Sequence, residues 1–465
     1  MQSKSSCLVS SSAVDRAGKQ YRCESRVAIS NRTGSLEDCR AARCAFAYTI
    51  IILPHNVAGM SESETLDSRY SWTRLGITLA IAVLGNVGMW SIIVIMPAVQ
   101  AEFAVARADA SLPYTLTMIG FALGNLVIGR AVDRFGVTIA LIGSALTMAA
   151  GFGLAAVSGS IVALSVMQFV IGFGTAVGFG PLIADISHWF YRRRGIAVAI
   201  AASGNYLSGA IWPLLLSGVL SEHGWRTAYL VLAVVPVVLI IPLSLLLRTR
   251  VPEEATAHAN RMSLSNARSV RFSPTALQWM LGLAGIGCCV AMSMPQVHIV
   301  SYCADLGYGP TVGAEMLSLM LMGGVVSRLI SGLVADRLGG VITLLIGSTL
   351  QCIALFLYLP FDGLAPLYIV SLIFGLSQGG IVPSYALVVR EYLPAKEAGA
   401  RVGFVIMATI VGMALGGWMS GWIYDLTGSY QAAFLNGIAW NFLNIGIMVM
   451  ILLKSRARRG DAVPA

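Results

Sequence analysis

Long apolar runs alternate with short polar breaks along most of this chain, from about residue 75 to residue 453. Each run is close to the ~20 residues that an α-helix needs to cross the hydrocarbon core of a bilayer. The pattern predicts twelve spans, at residues 75–98, 112–131, 137–157, 161–184, 196–220, 227–247, 274–298, 312–334, 341–360, 365–388, 401–423 and 429–453. The predicted fold class is therefore an all-α polytopic membrane protein.

The composition agrees with this prediction. Of the 465 residues, 57% are hydrophobic and only 11% are charged, whereas soluble domains carry about 25% charged residues. The eight cysteines have no spacing typical of a zinc site or of a disulfide framework. We therefore expect free cysteines, no metal site and no cofactor.

The N-terminal region differs from the rest of the chain. Residues 1–59 are polar, carry eight Lys or Arg, and contain one apolar run, Ala45 to Leu53, which is too short to span a bilayer. We expect a disordered extension here, with Met60 as a natural alternative start. The remaining chain divides into a first six-helix half, a linker, a second six-helix half and a tail, at residues 60–247, 248–273, 274–453 and 454–465.

Basic residues are distributed unevenly between the two sides of the predicted spans. After Met60, only Arg107 and Arg226 fall on the side opposite the linker. The positive-inside rule then places both termini and the linker in the cytoplasm, with the chain in the cell (inner) membrane. This distribution also accounts for the net charge of +9 without a nucleic-acid partner.

The two halves repeat each other. GRAVDRFG at residues 129–136 follows the second span, and GLVADRLG at residues 332–339 follows the eighth, 203 positions later. Two further correspondences follow in the same order, RRRG with KEAG and GWRTAY with GSYQAAF. Parallel repeats of this kind predict two pseudo-symmetric halves with a substrate site between them near the bilayer midplane.

These loops resemble the signature motif of the major facilitator superfamily. HWFYRRRGIAVAIAASGNYLSG (188–209) resembles the passage into span five of monocarboxylate transporters, and PQVHIVSYCADLGYGP (295–310) resembles span seven of bacterial members and of oxalate/formate antiporters. SRLISGLVADRLG (327–339) resembles their span eight. The resemblance covers about residues 70–453. It implies the major facilitator fold and alternating-access transport of a small organic anion, with a proton or a counter-anion as coupling partner.

Arg328 is the basic residue that lies well inside a predicted span. It precedes Asp336 by eight residues, so at ~1.5 Å per residue it lies roughly 12 Å deep, near the midplane of a core about 30 Å thick. A guanidinium there should face a cavity or a partner, and its planar fork suits a carboxylate. The alternative is an ion pair within the protein, for which Asp185 is the deepest acid.

The resemblance assigns substrate-carboxylate binding to this arginine, but the chain also departs from the related families. Ala98 stands at the position of the span-one lysine of animal monocarboxylate transporters, and Gly324 stands where they have a span-eight acid. Span eleven contains no lysine of the kind that an oxalate carrier uses. One buried positive charge suits a monoanion better than a dianion.

Weaker candidates are polar residues in or beside apolar spans, which often serve only as contacts between helices. Asn125 is the repeat equivalent of Arg328 and should face the same cavity. His298 could titrate near neutral pH and take part in coupling. The other candidates for substrate contact are Asn205, Tyr206, Gln296, Ser377, Gln378 and Tyr385, with Asn86 as a further polar residue in span one.

The repeated loops are candidates for a cytoplasmic gate. Charge pairs between helix ends there can hold the inner gate shut in the outward-facing state and break when it opens. The gating residues are Gly129, Asp133, Arg134, Gly136, Gly332, Asp336, Arg337 and Gly339. The alternative is a generic tight turn. Separately, glycine pairs predict close helix crossings, at Gly120/Gly124, Gly174/Gly178, Gly375/Gly379, Gly412/Gly416 and Gly417/Gly421.

Transport of a small organic monoanion, a monocarboxylate above all, is the predicted function. Export of another small or amphipathic compound is the alternative. An enzyme or a receptor is disfavoured, because the sequence contains no HExxH or GxxxxGK[ST] motif. We expect no catalytic residues, and the chain is expected to act as a monomer.

Overall fold

The protein is described by a computed structural model that covers residues 6–14, 20–28, 66–190, 193–249, 272–393 and 398–460. The chain separates into two units, Met1–Ala58 and Gly59–Ala465. In the first unit, β1 (Ser6–Val14) and β2 (Gln20–Ala28) pair as antiparallel strands, with Ser6 opposite Ala28. We expected no regular structure there. The sequence of β2 alternates with the period of two that is typical of a strand, a signal that hydropathy over long windows does not detect. The disorder predicted for the remaining residues of 1–59 lies outside the described residues.

The second unit is a helical bundle. Its N-terminal half contains α1 (Arg69–Gly85), α2 (Val87–Phe103), α3 (Arg107–Phe135), α4 (Val137–Ala156), α5 (Ile161–Thr175), α6 (Gly180–Ser187), α7 (Arg194–Val235) and α8 (Ile241–Leu245). Its C-terminal half contains α9 (Pro274–Asp305), α10 (Pro310–Leu338), α11 (Gly340–Leu357), α12 (Leu364–Gln378), α13 (Ile381–Tyr392), α14 (Ala398–Thr427) and α15 (Tyr430–Gly460). A 3₁₀ turn at Ala176–Gly178 links α5 to α6, and a π turn at Pro236–Ile240 links α7 to α8.

The described helices confirm the predicted number of spans. Eleven of the described helical stretches are long and apolar enough to cross a membrane, and one of them, Gly195–Leu245, has 51 residues. This stretch turns back at Gly224, whose backbone has φ 79° and ψ 169°. A positive φ is accessible to glycine without the steric penalty of a Cβ. The stretch therefore supplies spans five and six, which brings the total to twelve.

Three spans that we predicted as continuous helices are interrupted. Span one breaks at Asn86 between α1 and α2, span four at the 3₁₀ turn, and span ten at Gly379 and Gly380. The Asn86 amide donates to the carbonyl oxygens of Ala82 at 2.8 Å and of Gly178 at 2.9 Å. A side-chain amide thus satisfies backbone groups at two of the breaks, which is how non-helical backbone is tolerated within a membrane.

The predicted glycine pairs do mark close helix crossings. A Cβ at Gly120 would lie 2.1 Å from the Phe169 carbonyl oxygen, and one at Gly416 would lie 2.6 Å from the Val290 carbonyl oxygen. The partner backbones therefore approach to distances that no larger residue would allow. Each of the ten paired glycines has an atom of another chain segment within 3.0 Å of its missing Cβ.

The two halves meet along α3 with α14 and along α7 with α10. We call the end of the bundle that carries the linker the linker end. The opposite end, which carries the connections at 104–106, 157–160, 224, 306–309, 358–363 and 428–429, is the distal end. Between the ends, the outer surface of the bundle is largely apolar, with exposed Ile139, Leu333 and Leu435. Such a surface suits lipid rather than water.

Candidate functional site

Arg328 lies on α10 in the middle of the bundle and is 5% exposed. Its Nε donates to the carbonyl oxygen of Gly379 at 3.1 Å, and its Nη1 donates to the carbonyl oxygen of Ala202. Gly379 follows α12 in the C-terminal half, whereas Ala202 belongs to α7 in the N-terminal half. The guanidinium therefore joins the two halves at the place where the repeat predicts the substrate site.

The Tyr206 ring covers one face of this guanidinium. The guanidinium carbon lies 4.1 Å from the ring centroid, a favourable cation–π geometry. A Cβ at Gly324, one turn before Arg328, would lie 3.3 Å from the same ring. The absence of an acidic side chain at this position thus leaves the space that the tyrosine ring uses.

Within the described part of the chain, no acid forms an ion pair with Arg328. Asp185, which we considered as its structural partner, instead accepts from Arg74 at 2.8 Å. Arg74 lies on α1, and its side chain is also stacked on the Trp189 ring. The alternative of an Arg328–Asp185 pair is therefore wrong. Arg328 carries a buried charge that two carbonyl groups and an aromatic ring solvate without neutralising.

The two candidate glutamines pair with each other within the C-terminal half. Gln378 directly precedes Gly379, and its Oε1 accepts from Gln296 Nε2 at 2.6 Å. Both side chains are buried, and the remaining atoms of the pair, Gln296 Oε1 and Gln378 Nε2, have no hydrogen-bond partner among the described residues. Whichever way the two amides are turned, such a pair leaves one acceptor and one donor for a third molecule.

The asparagine candidates make contacts within the N-terminal half. Asn205 accepts from Trp90 Nε1 at 3.0 Å, which links α7 to α2. Asn125 donates to its own helix at Phe121 and accepts from Gly180 N at 3.2 Å. Asn125 therefore holds the start of α6, in a position that mirrors the contact of Arg328 with Gly379. We did not single out Trp90 from the sequence, although it is a lone indole in an apolar span.

The remaining candidates make their hydrogen bonds within the C-terminal half. Ser377 donates to Phe374 O on its own helix at 2.6 Å, and Tyr385 donates to Asn444 at 2.7 Å within the C-terminal half. His298 lies toward the distal end, with its Nδ1 3.2 Å from the Tyr430 hydroxyl and its Nε2 2.7 Å from Gly417 O.

At the linker end, Gly136 and Gly339 occupy the connections after α3 and α10, with φ of 89° and 86°. Arg134 and Arg337 are exposed, and the described residues give neither of them an ion pair. Gly129 and Gly332 have open space where a Cβ would be. The side chains of Asp133 and Asp336 lie outside the described residues. The gating role of these loops stays a prediction.

The distal end holds a charged cluster that we did not predict, which we call the distal latch: Arg107, Asp305, Asp425 and Tyr430. Arg107 Nη2 lies 2.9 Å from Asp305 Oδ1, and Arg107 Nη1 donates to the Tyr430 hydroxyl at 2.9 Å. Asp425 accepts from the backbone N–H groups of Arg107 and Ala108 at 2.8 Å and 2.7 Å.

Each of these contacts crosses from one half to the other. The carboxylate of Asp425 caps α3, whose own N-cap residue, Ala106, offers no side-chain hydrogen bond. The sequence contained a signal for this cluster, since Arg107 is an exception to the charge asymmetry and two acids end α9 and α14 at the same level. The one described ion pair at the linker end, Arg74–Asp185, stays within the N-terminal half, whereas the Arg107–Asp305 pair at the distal end joins the two halves.

Comparison with known proteins places this architecture in a family. The sequence profile of the Major Facilitator Superfamily matches residues 78–340 and 299–465. Monocarboxylate transporter 13 of Bos taurus is 28% identical over 344 residues, which cover 73% of this chain and 79% of that protein. Monocarboxylate transporter 11 of Homo sapiens is 26% identical over 87% of this chain and 88% of its own length.

A solved structure shows the same fold. The bacterial homologue of the human lysosomal transporter Spinster, crystallised in an inward-facing and occupied conformation, superposes with a TM-score of 0.63 at 14% identity. The match covers 84% of this chain and 98% of that one. Together with the two six-helix halves, these matches show that the chain belongs to the Major Facilitator Superfamily of membrane transporters and has monocarboxylate transporters among its relatives.

Proposed function

We propose that this transporter carries a small organic monoanion, a monocarboxylate, across the cell membrane by alternating access between its two halves. The linker end faces the cytoplasm in this proposal, as the positive-inside rule favours. A proton or a counter-anion supplies the driving force. The monocarboxylate transporters among the relatives agree with this substrate class.

The buried charge of Arg328 is the observation that carries the proposal. A charged side chain near the bilayer midplane costs at least about 2.5 kcal/mol on insertion scales, and it is normally paired or functional. The described residues supply carbonyl oxygens and a ring to Arg328 but no negative charge. A substrate carboxylate would provide the missing countercharge and accept charge-assisted hydrogen bonds from the guanidinium.

The surroundings of Arg328 support a small substrate with one further polar group. Tyr206 limits the space on one face of the guanidinium, and the leftover donor and acceptor of the Gln296–Gln378 pair can bind a hydroxyl or carbonyl group of the substrate. A second carboxylate would find no second cation among the described residues near Arg328. A monoanion is therefore favoured over a dianion.

Substitution of Arg328 tests this proposal. Arg328→Gln removes the charge and should weaken carboxylate binding roughly ten- to a hundredfold, because a hydrogen bond to a charged group is worth about 1.5–3 kcal/mol. Arg328→Lys keeps the charge but loses the planar guanidinium, so its carboxylate affinity should lie between those of the unmodified protein and Arg328→Gln. Binding of acetate, lactate and pyruvate to the purified protein is measured by calorimetry. Uptake into proteoliposomes is measured with and without a pH gradient.

The matched control is Arg226→Gln, which removes an arginine whose partner, Glu102, is exposed at the distal end. It should bind carboxylates as the unmodified chain does. Unchanged carboxylate affinity in a folded Arg328→Gln protein would overturn the proposal. If carboxylate uptake by the unmodified protein depends on the pH gradient, the coupling ion is a proton.

Export of a neutral or amphipathic compound is the second candidate function. The contacts of Arg328 with two carbonyl oxygens and the Tyr206 ring favour it, since they solvate the charge without a ligand. In that case Arg328 holds α10 against α7 and α12 and does not contact the substrate. Transport of a neutral dye should then survive in Arg328→Gln, whereas carboxylates should fail to bind even to the unmodified protein.

A further inference from the structure

His298 lies next to the distal latch and is completely buried. Its Nε2 lies 2.7 Å from the carbonyl oxygen of Gly417, and its Nδ1 lies 3.2 Å from the hydroxyl of Tyr430. The same hydroxyl accepts a hydrogen bond from Arg107 Nη1 at 2.9 Å. The imidazole, the phenol and the guanidinium therefore form one chain of hydrogen bonds, which crosses from the C-terminal half to the N-terminal half.

The donors and acceptors in this chain determine the protonation state of the histidine. A carbonyl oxygen only accepts, so the hydrogen bond to Gly417 requires a hydrogen on Nε2. A guanidinium only donates, so the Tyr430 oxygen accepts from Arg107 and its own hydrogen is donated to Nδ1. Nδ1 is thus an acceptor. The closed latch therefore fits the neutral imidazole of His298 in a single tautomer.

A proton on Nδ1 would disrupt this arrangement. The charged imidazole donates from both nitrogens, so the Tyr430 oxygen would face two cationic donors and its own hydrogen would lose its acceptor. The new charge would also lie near the guanidinium of Arg107 in a buried place, where like charges repel strongly. The acids of the latch are engaged elsewhere, since Asp425 accepts from backbone N–H groups and Asp305 pairs with Arg107.

Charged and titratable side chains on four helices surround the ring of His298 and its two partners. They are Arg107 and Tyr114 on α3, Tyr302 and Asp305 on α9, Tyr424 and Asp425 on α14, and Tyr430 on α15. The acids at this end of the two other helices that pack on α9 are Glu102 on α2 and Glu315 on α10, which accept from Arg226 and Tyr368 instead.

These groups titrate in different ranges of pH. In water, carboxyl groups titrate near pH 4, phenols near pH 10 and imidazoles near pH 6.5, whereas a guanidinium stays charged. His298 is therefore the described side chain of this cluster whose charge is expected to respond to a change between pH 8 and pH 5.5.

Helix α3 of the N-terminal half covers both partners of the ring. Arg107 donates to the Tyr430 hydroxyl, and a Cβ at Gly417 would lie 2.9 Å from the ring of Tyr114. His298, Tyr430 and Gly417 all belong to the C-terminal half. When the halves part at the distal end, α3 moves away from these partners, so water can reach the imidazole from that side.

We propose that Nδ1 of His298 is a proton-binding site that is empty while the distal latch is closed and is filled when the latch opens. Acid on the distal side then favours the open state, because a ligand shifts a two-state equilibrium toward the state that binds it. If the proton binds the open state alone, at about pH 6.5 as in water, the ratio of open to closed protein rises about tenfold between pH 8 and pH 5.5. The proposal goes beyond the proposed function, since it requires neither a carboxylate nor Arg328.

Pulsed electron paramagnetic resonance on the full chain tests this inference. Spin labels are attached at His223→Cys and Asp362→Cys, two exposed distal positions in opposite halves. The first substitution also removes the other histidine described at the distal end. The four described cysteines are buried, and serine replaces the others, Cys7, Cys23, Cys39 and Cys44. Distances are recorded in lipid nanodiscs at pH 8 and pH 5.5 without any carboxylate, and the longer distances should gain population at pH 5.5.

His298→Gln separates a proton site from a structural contact. Its amide supplies one donor group and one acceptor but does not titrate near neutral pH, so the tenfold rise at pH 5.5 should be absent. His188→Gln is the matched control, because it makes the same change at the linker end, after α6. It should respond to pH as the chain with both histidines does.

Tyr430→Phe is a second variant, which carries the test if His298→Gln does not fold. It keeps the histidine but removes the hydroxyl that joins the ring to Arg107. The open population should therefore be larger at pH 8, and its rise at pH 5.5 should be smaller than in the chain with Tyr430. A purely structural contact would change the population at pH 8 and leave the rise unaltered.

Equal distance distributions at pH 8 and pH 5.5 in the labelled chain with His298 intact would overturn the inference. A full response to pH in His298→Gln would overturn it as well. Arg328→Gln should respond to pH as the labelled chain does. The inference and the proposed function can thus fail separately, because carboxylate affinity tests Arg328 and the response to pH without carboxylate tests His298.

Discussion

At Gly324, the lack of a side chain decides what contacts Arg328. Gly324→Asp would place a carboxylate one helical turn from the guanidinium, on the same face of α10. The ionised carboxylate should compete with the substrate for Arg328, so carboxylate affinity should fall about tenfold at neutral pH. Calorimetry of carboxylate binding at neutral pH measures this loss.

Gly324→Ala is the control, because it adds the same Cβ, 3.3 Å from the Tyr206 ring, without the charge. A loss of affinity that is equal in both variants would show that Tyr206 is displaced sterically and that the charge is unimportant.

The sequence made both residues candidates, Arg328 as a charge inside a span and Tyr206 as a polar residue in an apolar span, but their contact is seen only in the structure. The sequence was insufficient to predict the contacts that Asn125 and His298 make. Equivalence in the repeat predicts the helix and the depth of Asn125, but the amide is short and bonds across to Gly180. The ring of His298 contacts Tyr430 and Gly417, which lie more than a hundred positions away in the chain.

At the scale of the helices, the crossing of α10 with the break after α12 fixes the position of Arg328. A Cβ at Gly379 would lie 2.1 Å from Gly324 O and 2.7 Å from Arg328 N. Gly379→Ala should therefore force the two spans apart and destabilise the protein by about 1–3 kcal/mol, as overpacking does. Thermal unfolding in detergent measures this change. Carboxylate affinity should fall as well, since Arg328 loses the Gly379 carbonyl.

Gly143→Ala on α4 is the matched control, because nothing lies within 4 Å of its missing Cβ. It should be neutral or should stabilise the helix by up to about 1 kcal/mol. Equal melting temperatures for the two variants would contradict the close crossing.

Hydropathy predicted the number and order of the spans, since each must satisfy the same bilayer thickness. It did not predict the breaks in spans one, four and ten. A break depends on whether a neighbouring side chain, such as the amide of Asn86, reaches the freed carbonyl groups. That contact joins positions 92 residues apart, which a local window does not contain.

At the scale of the whole molecule, the orientation of the protein in the membrane can be tested. Cysteines introduced at Glu253→Cys in the linker and at Asp362→Cys at the distal end should react from opposite sides of the membrane. A membrane-impermeant maleimide added to intact cells should label the distal position, and the linker position should react only after the cells are opened. Reaction of both positions from one side would refute the twelve-span arrangement.

The closure of the halves at the distal end could not be predicted from the sequence. The distribution of basic residues identifies Arg107 as an exception to the positive-inside rule. It does not show that Asp305 and Asp425 of the other half contact this arginine. The repeat predicts two similar halves, but whether they are closed at the distal end depends on contacts between them.

The single non-helical residue at Gly224 has a mechanical consequence. Span five and span six are joined directly at Gly224 without a longer loop, so a tilt of one span displaces the other. Arg328 donates a hydrogen bond to the carbonyl oxygen of Ala202 on span five. In the proposed alternating-access motion, a displacement of span five at Ala202 would therefore be transmitted through Gly224 to span six.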